Sequence, residues 1–300
     1  MYEKYKYHVL MHFIIFLWGF TGILGKLIEL EAVFIVWYRV LIAALFLAGY
    51  FLFTKKSLRL ESKHLWKVTL VGLVVVAHWI TFYYAIQLST ASLGILCLST
   101  ATLHVTWLEP LVMKRKFSWV QFLMGCLVIY GIYFVSGDFT QTELTALYIG
   151  LLSALCAAVF AVFNAKLVQD IPSSQITLYE LSIGFLALSV FLIFSDQFSY
   201  EQLALSGSDF SWLLFLGIVC TSFAFLVTID IVKRLGAFTV SLSINLEPIY
   251  TILLAIVILN EHELLNENFY IGASVIIFVV LANGILKYYQ EHKKNKNGVY

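Results

Sequence analysis

Apolar runs of about twenty residues recur along the whole chain, separated by short polar connections. No other feature constrains the fold as much. Inside a bilayer no water satisfies exposed N–H and C=O groups, so a crossing segment must close its own hydrogen bonds. Runs of this length suit helices, since a crossing strand needs only about ten residues. The hydropathy predicts helices at 10–28, 33–53, 66–86, 91–112, 119–136, 145–166, 175–194, 211–232, 238–259 and 268–287. Connections such as "QLST" (Gln87 to Thr90) and "KRLGA" (Lys233 to Ala237) are short enough to pack neighbours as antiparallel hairpins. The expectation is an all-α integral membrane protein with ten transmembrane helices. Composition agrees: 61% of residues are hydrophobic and 12% charged, against about 25% charged in soluble domains. The first apolar run continues to Ile28 without a small-residue cleavage site, so it reads as a retained span. Cys97, Cys126, Cys156 and Cys220 fall inside apolar runs without CxxC spacing, and read as small hydrophobes rather than disulfide partners or metal ligands.

The charges sort by side. One set of loops holds Lys4 and Lys6, the segment "KKSLRLESKHLWK" (Lys55 to Lys67), "KRK" (Lys114 to Lys116), Lys166, Lys233, Arg234 and the tail "KYYQEHKKNK". Only Lys26 and Arg39 lie elsewhere. The opposite loops hold Glu29, Glu31, Asp138, Glu143, Asp196, Glu201, Asp209, Glu261, Glu263 and Glu267. By the positive-inside rule both termini are cytoplasmic and the span count is even. A missed or invented span would flip every later loop and scramble this sorting.

The chain also resembles itself. "VGLVVVAHWITFYYAIQLSTASLG" (Val71 to Gly94) matches "LGIVCTSFAFLVTIDIVKRLGAFTVS" (Leu216 to Ser241), placing Gly72 on Gly217 and Ala91 on Ala237. "FLMGCLVIYGI" matches the start of "FYIGASVIIFVVLANGI", with Gly125 on Gly272. "YRVLIAALFL" matches "YELSIGFLAL", with Arg39 on Glu180. The predicted division is 1–140 and 141–300, five spans each. An odd number of spans per half inverts the second half, giving two inverted five-helix repeats, an architecture of secondary transporters. The tripeptide "LEP" occurs twice, at Glu109–Pro110 and Glu247–Pro248. The repeat register places Glu109 near Ala255, so the two are independent features.

Several segments resemble the EamA-type family of the drug/metabolite transporter superfamily. "FLWGFTGILGKLI" is similar to the opening of its first span, and "VWYRVLIAALFLAGYFLF" to its second, where an Arg precedes an apolar tail. "RLGAFTVSLSINLEPIYTILLAIVILNEHELLNENFYIGASVII" resembles its most recognisable segment. The resemblance covers essentially the whole chain. It implies ten helices, arranged five plus five, that move small metabolites such as amino acids or related amphipathic solutes across the cytoplasmic membrane by alternating access. The stretch "STATLHVTWLEPLVMKRK" departs from the family pattern, which makes Glu109 an extra acid.

A charge at the centre of a spanning helix costs roughly 2.5–3.5 kcal/mol on insertion scales, so such residues are candidates for function. Arg39, Glu109, Glu180 and Glu247 qualify. Helical rise places Arg39 and Glu247 within about 5 Å of each other in depth, so an ion pair or an ionised substrate between them is geometrically possible. Glu109 and Glu180 lie in the inner third, where two carboxylates could share a proton. Glu247 is either a binding or proton-carrying acid of a central cavity, or a neutral core acid beside a kink at Pro248. Pro110 is the second candidate kink. Asn164 needs a partner, His78 is either a relay or a packed histidine, and Trp18 and Tyr250 are candidate pocket aromatics. Ser92, Ser99, Thr102, Thr106 and Glu109 share one face of a helix, either a hydrated lining or a polar seam. Gly19, Gly22 and Gly25 form a stripe for close helix approach. Asp230 is expected to reach water or Lys233 and Arg234.

The expected partners are the lipid bilayer and a small-molecule substrate, with no nucleic acid, cofactor or catalytic residue, in a monomer or homodimer. "NEHELLNEN" is read as an acidic loop rather than a metal site. No Walker A sequence points to ATP-driven transport. A polytopic membrane enzyme or a channel-like protein is the alternative function.

Overall fold

The computed structural model describes residues 2–114, 116–137, 139–195, 199–235 and 237–296. Arg115, Asp138 and Asp196 of the charge pattern lie outside the described residues, as do the side chains of Lys4, Glu201, Lys287, Lys293, Lys294 and Lys296. The helices of the first half are α1 (Tyr2–Leu27), α2 (Ala32–Phe53), α3 (Ser62–Leu88), α4 (Ala91–Ser99), α5 (Ala101–Met113) and α6 (Trp119–Val135). Those of the second half are α7 (Gln141–Leu167), α8 (Ser173–Phe194), the short α9 (Tyr200–Leu203), α10 (Gly207–Leu214), α11 (Ala224–Leu235), α12 (Ala237–Ile244), α13 (Glu247–Leu259) and α14 (Glu267–Lys296). A π-helical stretch, Phe215–Phe223, joins α10 to α11.

Among the described residues, eight helical stretches are long and apolar enough to cross a membrane: Tyr5–Leu27, Ala32–Phe53, Ser62–Leu88, Ala91–Met113, Gln141–Leu167, Ser173–Phe194, Gly207–Leu235 and Glu267–Leu286. The fifth and ninth predicted segments are shorter. The helix α6 has 17 residues and α13 has 13, below the roughly 20 needed to cross unaided. The ninth segment is shortened by an interruption at Asn245 and Leu246, just before Pro248. Proline offers no N–H to the carbonyl four residues back, so the hydrogen-bond ladder entering from α12 loses a bond at Pro248. In the first turn of α13 that missing N–H costs nothing.

The stretch Ala91–Met113 is interrupted too, at Thr100. There Ser99, Thr100 and Thr102 each turn their hydroxyl back onto a carbonyl of the preceding turn, at 3.1, 2.6 and 2.9 Å. Such back-bonding competes with the backbone ladder and bends helices. The helix then runs unbroken through Pro110. Adding the register shift of 146 that relates Ala91 to Ala237 carries Thr100 onto Leu246, so the two interruptions are repeat-related.

Packing repeats with the sequence. The helix α3 lies along α7, and α1 lies along the segment from α10 to α11; α4 and α5 pack on α7, and α12 and α13 on α1. At the closest approaches the register is visible residue by residue. A Cβ on Gly72 would stand 3.1 Å from the backbone of Glu180, and one on Gly217 would stand 3.4 Å from the carbonyl of Arg39. These are the Gly72/Gly217 and Arg39/Glu180 pairs of the sequence repeat, exchanged between halves. The glycine stripe of α1 behaves as expected: a Cβ on Gly19 would meet Tyr250 and Thr251 of α13 at 3.1–3.2 Å, and one on Gly25 the Tyr83 ring at 2.8 Å.

The exterior is apolar. Phe53 is 91% and Phe194 85% exposed, and Trp119, Leu123, Leu127, Tyr130 and Tyr133 line one outward face of α6. A surface of this kind is suited to lipid and not to water. Cys97 and Cys220 are buried small hydrophobes, whereas Cys126 lies on the exposed face of α6.

Candidate functional site

The two interrupted helices meet at a cavity of about 310 Å³. Ser99, Ala101 and Thr102 flank one interruption, and Ile244, Asn245, Glu247 and Pro248 the other; both groups line the cavity. Irregular backbone at membrane depth is tolerated where it lines a cavity. The remaining walls come from α5, α6, α7 and α14, with Thr106, Gln121 and Asn283 as their polar contributions. Most of the lining comes from the half of each crossing nearer the basic loops, with Gln121 just after the "KRK" loop and Asn283 shortly before Lys287; Ile95, Leu98 and Ser99 extend it past the middle of Ala91–Met113.

Glu247 opens α13, where the positive end of the helix dipole favours a carboxylate. It is half-buried, and its carboxylate makes no hydrogen bond or ion pair to a described residue. Asn283 is 7% exposed and its amide oxygen is buried without a hydrogen-bond partner. Thr102 and Thr106 spend their hydroxyl protons on Ser99 and Leu103 carbonyls, leaving oxygen lone pairs to accept.

Arg39 is 6% exposed but does not line this cavity. Its Nε donates to Thr221 Oγ1 at 3.0 Å and its Nη1 to Tyr83 Oη at 3.1 Å, and the guanidinium lies 3.8 Å from the centre of the Trp79 ring. Thr221 sits in the π-helical stretch and bonds back to the Leu216 carbonyl. No described carboxylate lies within ion-pair distance of Arg39, although it remains within electrostatic reach of Glu247.

The other candidates are spread through the bundle. Glu180, 5% exposed, accepts from Asn164 Nδ2 at 3.3 Å, and each of the two keeps one buried oxygen without a partner. His78 is locked between α3 and α7, with Nδ1 2.8 Å from Ser153 Oγ, which itself donates to the His78 carbonyl. Tyr250 faces α1, its hydroxyl 3.0 Å from His12 Nδ1. Trp18 packs into the main apolar cluster. Glu109 is half-buried on α5 outside the cavity lining. Of the polar stripe, Ser99, Thr102 and Thr106 line the cavity; Ser92 and Glu109 do not. Asp230 pairs with Lys233 at 3.5 Å, as expected.

Hydrogen bonds tie the acidic-loop end together. Glu261, 2% exposed, accepts from the backbone N–H groups of Ala91 and Ser92 at 2.6 and 3.0 Å, so its carboxylate caps the start of α4. Gln87 ties the α1–α2 connection to the end of α3 by accepting from Ala32 N–H and donating to the Leu30 carbonyl. Asp209 accepts from Glu29 N–H at 2.9 Å.

The EamA-like transporter family matches residues 6–137 and again residues 144–284. The chain belongs to that family. Two consecutive matches agree with the internal repeat, and the EamA assignment makes this a multi-pass membrane protein of a transporter family. No curated protein sequence matches the chain. One solved structure, described only as "Crystal structure of protein", is similar over 93% of this chain and 97% of its own, with 15% identity and a TM-score of 0.64. At that identity the likeness concerns the fold alone. Within this EamA fold, sequence reasoning singled out Glu247 but passed over Asn283, Asn245, Gln121, Thr221 and Glu261. Asn283 carried the same signal as Asn164, an amide in an apolar run. Glu261 looked like one more loop acid.

Proposed function

We propose that the protein is a secondary transporter that moves small metabolites, amino acids or related amphipathic solutes, across the cytoplasmic membrane by alternating access. In this reading α4–α5 and α12–α13 each form one crossing in two half-helices and α6 completes the set. That gives ten crossings in two inverted five-helix repeats, 1–140 and 141–300, with both termini cytoplasmic. The carrying observation is the meeting of two repeat-related interruptions at a cavity that holds the Glu247 carboxylate. Discontinuous helices of paired repeats build substrate sites in many transporters. Most of the cavity lining lies in the half read as cytoplasmic, and the outer end is tied together around Glu261, an arrangement suited to the inward-facing state. Glu247 binds the substrate or carries a coupling proton.

The test is uptake of a labelled amino-acid and metabolite panel into proteoliposomes, with and without a pH gradient. A substrate whose uptake follows the gradient in the native protein, and no longer does in Glu247→Gln, supports the proposal. An unchanged rate and pH response in the variant would remove Glu247 from the mechanism. Well-folded protein that moves nothing across a broad panel would count against transport.

A further inference from the structure

We infer that the cavity between the interrupted helices is a subsite for an organic ammonium group, with Glu247 as counter-ion and Asn283 as a specificity-determining acceptor. The inference rests on the transporter reading only for its physiological use; as a binding site it stands on the cavity itself.

The electrostatics of the lining are one-sided. Among the described lining residues Glu247 is the only charged one, and no described Lys, Arg or His lines the cavity. A carboxylate in an apolar recess without a partner is costly, and a ligand cation removes that cost. Arg39, the cation that a simple depth argument would offer to Glu247, is committed to Thr221, Tyr83 and the Trp79 face, away from the lining. The hydrogen-bonding capacity points the same way. The carboxylate accepts, the Thr102 and Thr106 oxygens have already donated their protons, and the Asn283 amide oxygen is 93% enclosed with its residue and unpartnered. An alkylammonium carries three donors and no acceptor, the complement of this set. A carboxylate ligand would face the like charge of Glu247, with only the neutral amide N–H₂ groups of Gln121, Asn245 and Asn283 to donate to it among the described lining side chains.

The apolar wall sets the rest of the ligand. Leu98, Val105, Phe160, Ile244 and Val280 surround the polar patch. About 310 Å³ lies at the small end of ligand sites. The ligand class is therefore a primary amine with a compact aromatic or branched aliphatic body. A carboxylate on the same carbon is not read by this cavity.

The test is isothermal titration of the purified, full-length protein in detergent with phenethylamine, phenylalanine and phenylacetate. Phenethylamine is expected to bind at least as tightly as phenylalanine, and phenylacetate not at all. Glu247→Gln should abolish amine binding. Asn283→Leu should weaken it about tenfold or more, the loss expected for one hydrogen bond to a charged group, while Asn283→Asp should retain or strengthen it. Thr102→Val supplies the same test should Asn283→Leu not fold. Binding of phenylacetate, or of phenylalanine without phenethylamine, would overturn the inference, as would unchanged amine affinity in both Asn283→Leu and Thr102→Val. Transport in proteoliposomes without amine binding overturns this subsite alone. Amine binding without transport of any solute upholds the subsite and counts against the transporter.

Discussion

Arg39 shows how a buried charge can be held without an opposite charge. Its guanidinium donates to two hydroxyls and lies over an indole face, replacing water by fixed dipoles and a ring quadrupole. The planar fork allows one side chain to reach Thr221 and Tyr83 together, which an ammonium cannot. Arg39→Lys should therefore keep the charge and still lower stability by about 2–3 kcal/mol, seen as a drop in thermal unfolding temperature in detergent. An Arg39→Lys protein as stable as the native one would show that the charge alone suffices. Glu247 is the contrasting case: it makes no hydrogen bond or ion pair to a described residue and lines the cavity, which is why the proposal gives it to a ligand.

Packing between helices depends on glycine at the closest crossings. A Cβ on Gly272 of α14 would press on the Gly131 carbonyl and stand 3.0 Å from the Val135 nitrogen, so backbone would have to move. Gly272→Ala should cost about 1–3 kcal/mol. Gly49→Ala, with nothing within 4 Å of the new methyl, should be neutral or stabilising by about 0.5–1 kcal/mol. Thermal unfolding of the two variants checks both signs. The Glu261 cap is a second feature of the elements. A carboxylate accepts from Ala91 and Ser92 N–H together, while Gln presents an amide N–H₂ to one of them. Glu261→Gln should loosen the seal and increase the outward-open population, read as longer distances between spin labels placed across that end. Unchanged distances would assign the cap to helix stability alone.

For the whole molecule, the sidedness of the charges and the position of the cavity make a joint statement. Most cavity residues belong to the basic-loop half, and Glu261, Gln87 and Asp209 tie the acidic-loop end together. A Thr102→Cys variant, with native cysteines replaced, should therefore react with a membrane-impermeant thiol reagent from the cytoplasmic face of oriented vesicles and remain protected from outside. Labelling from outside alone would reverse the proposed orientation or the proposed state.

Helix content, the placement of most crossings, the sorting of charge and the repeat register were all legible in the chain. Hydropathy and charge are properties of contiguous residues, and membrane insertion reads them segment by segment. The match of Gly72 to Gly217 and of Arg39 to Glu180 reappears in the packing, where each glycine approaches the backbone of the other half. The interruptions at Thr100 and Leu246 were only half legible: Pro248 announced one, but three back-bonding hydroxyls announce nothing until their rotamers are set. The site itself was decided by tertiary structure. Whether a polar residue in a span meets a cavity, a neighbouring helix or lipid depends on how that helix is rotated against its partners. That rotation moved Arg39 away from the cavity, paired Asn164 with Glu180, and brought Asn283 from the last helix to the same cavity as Glu247.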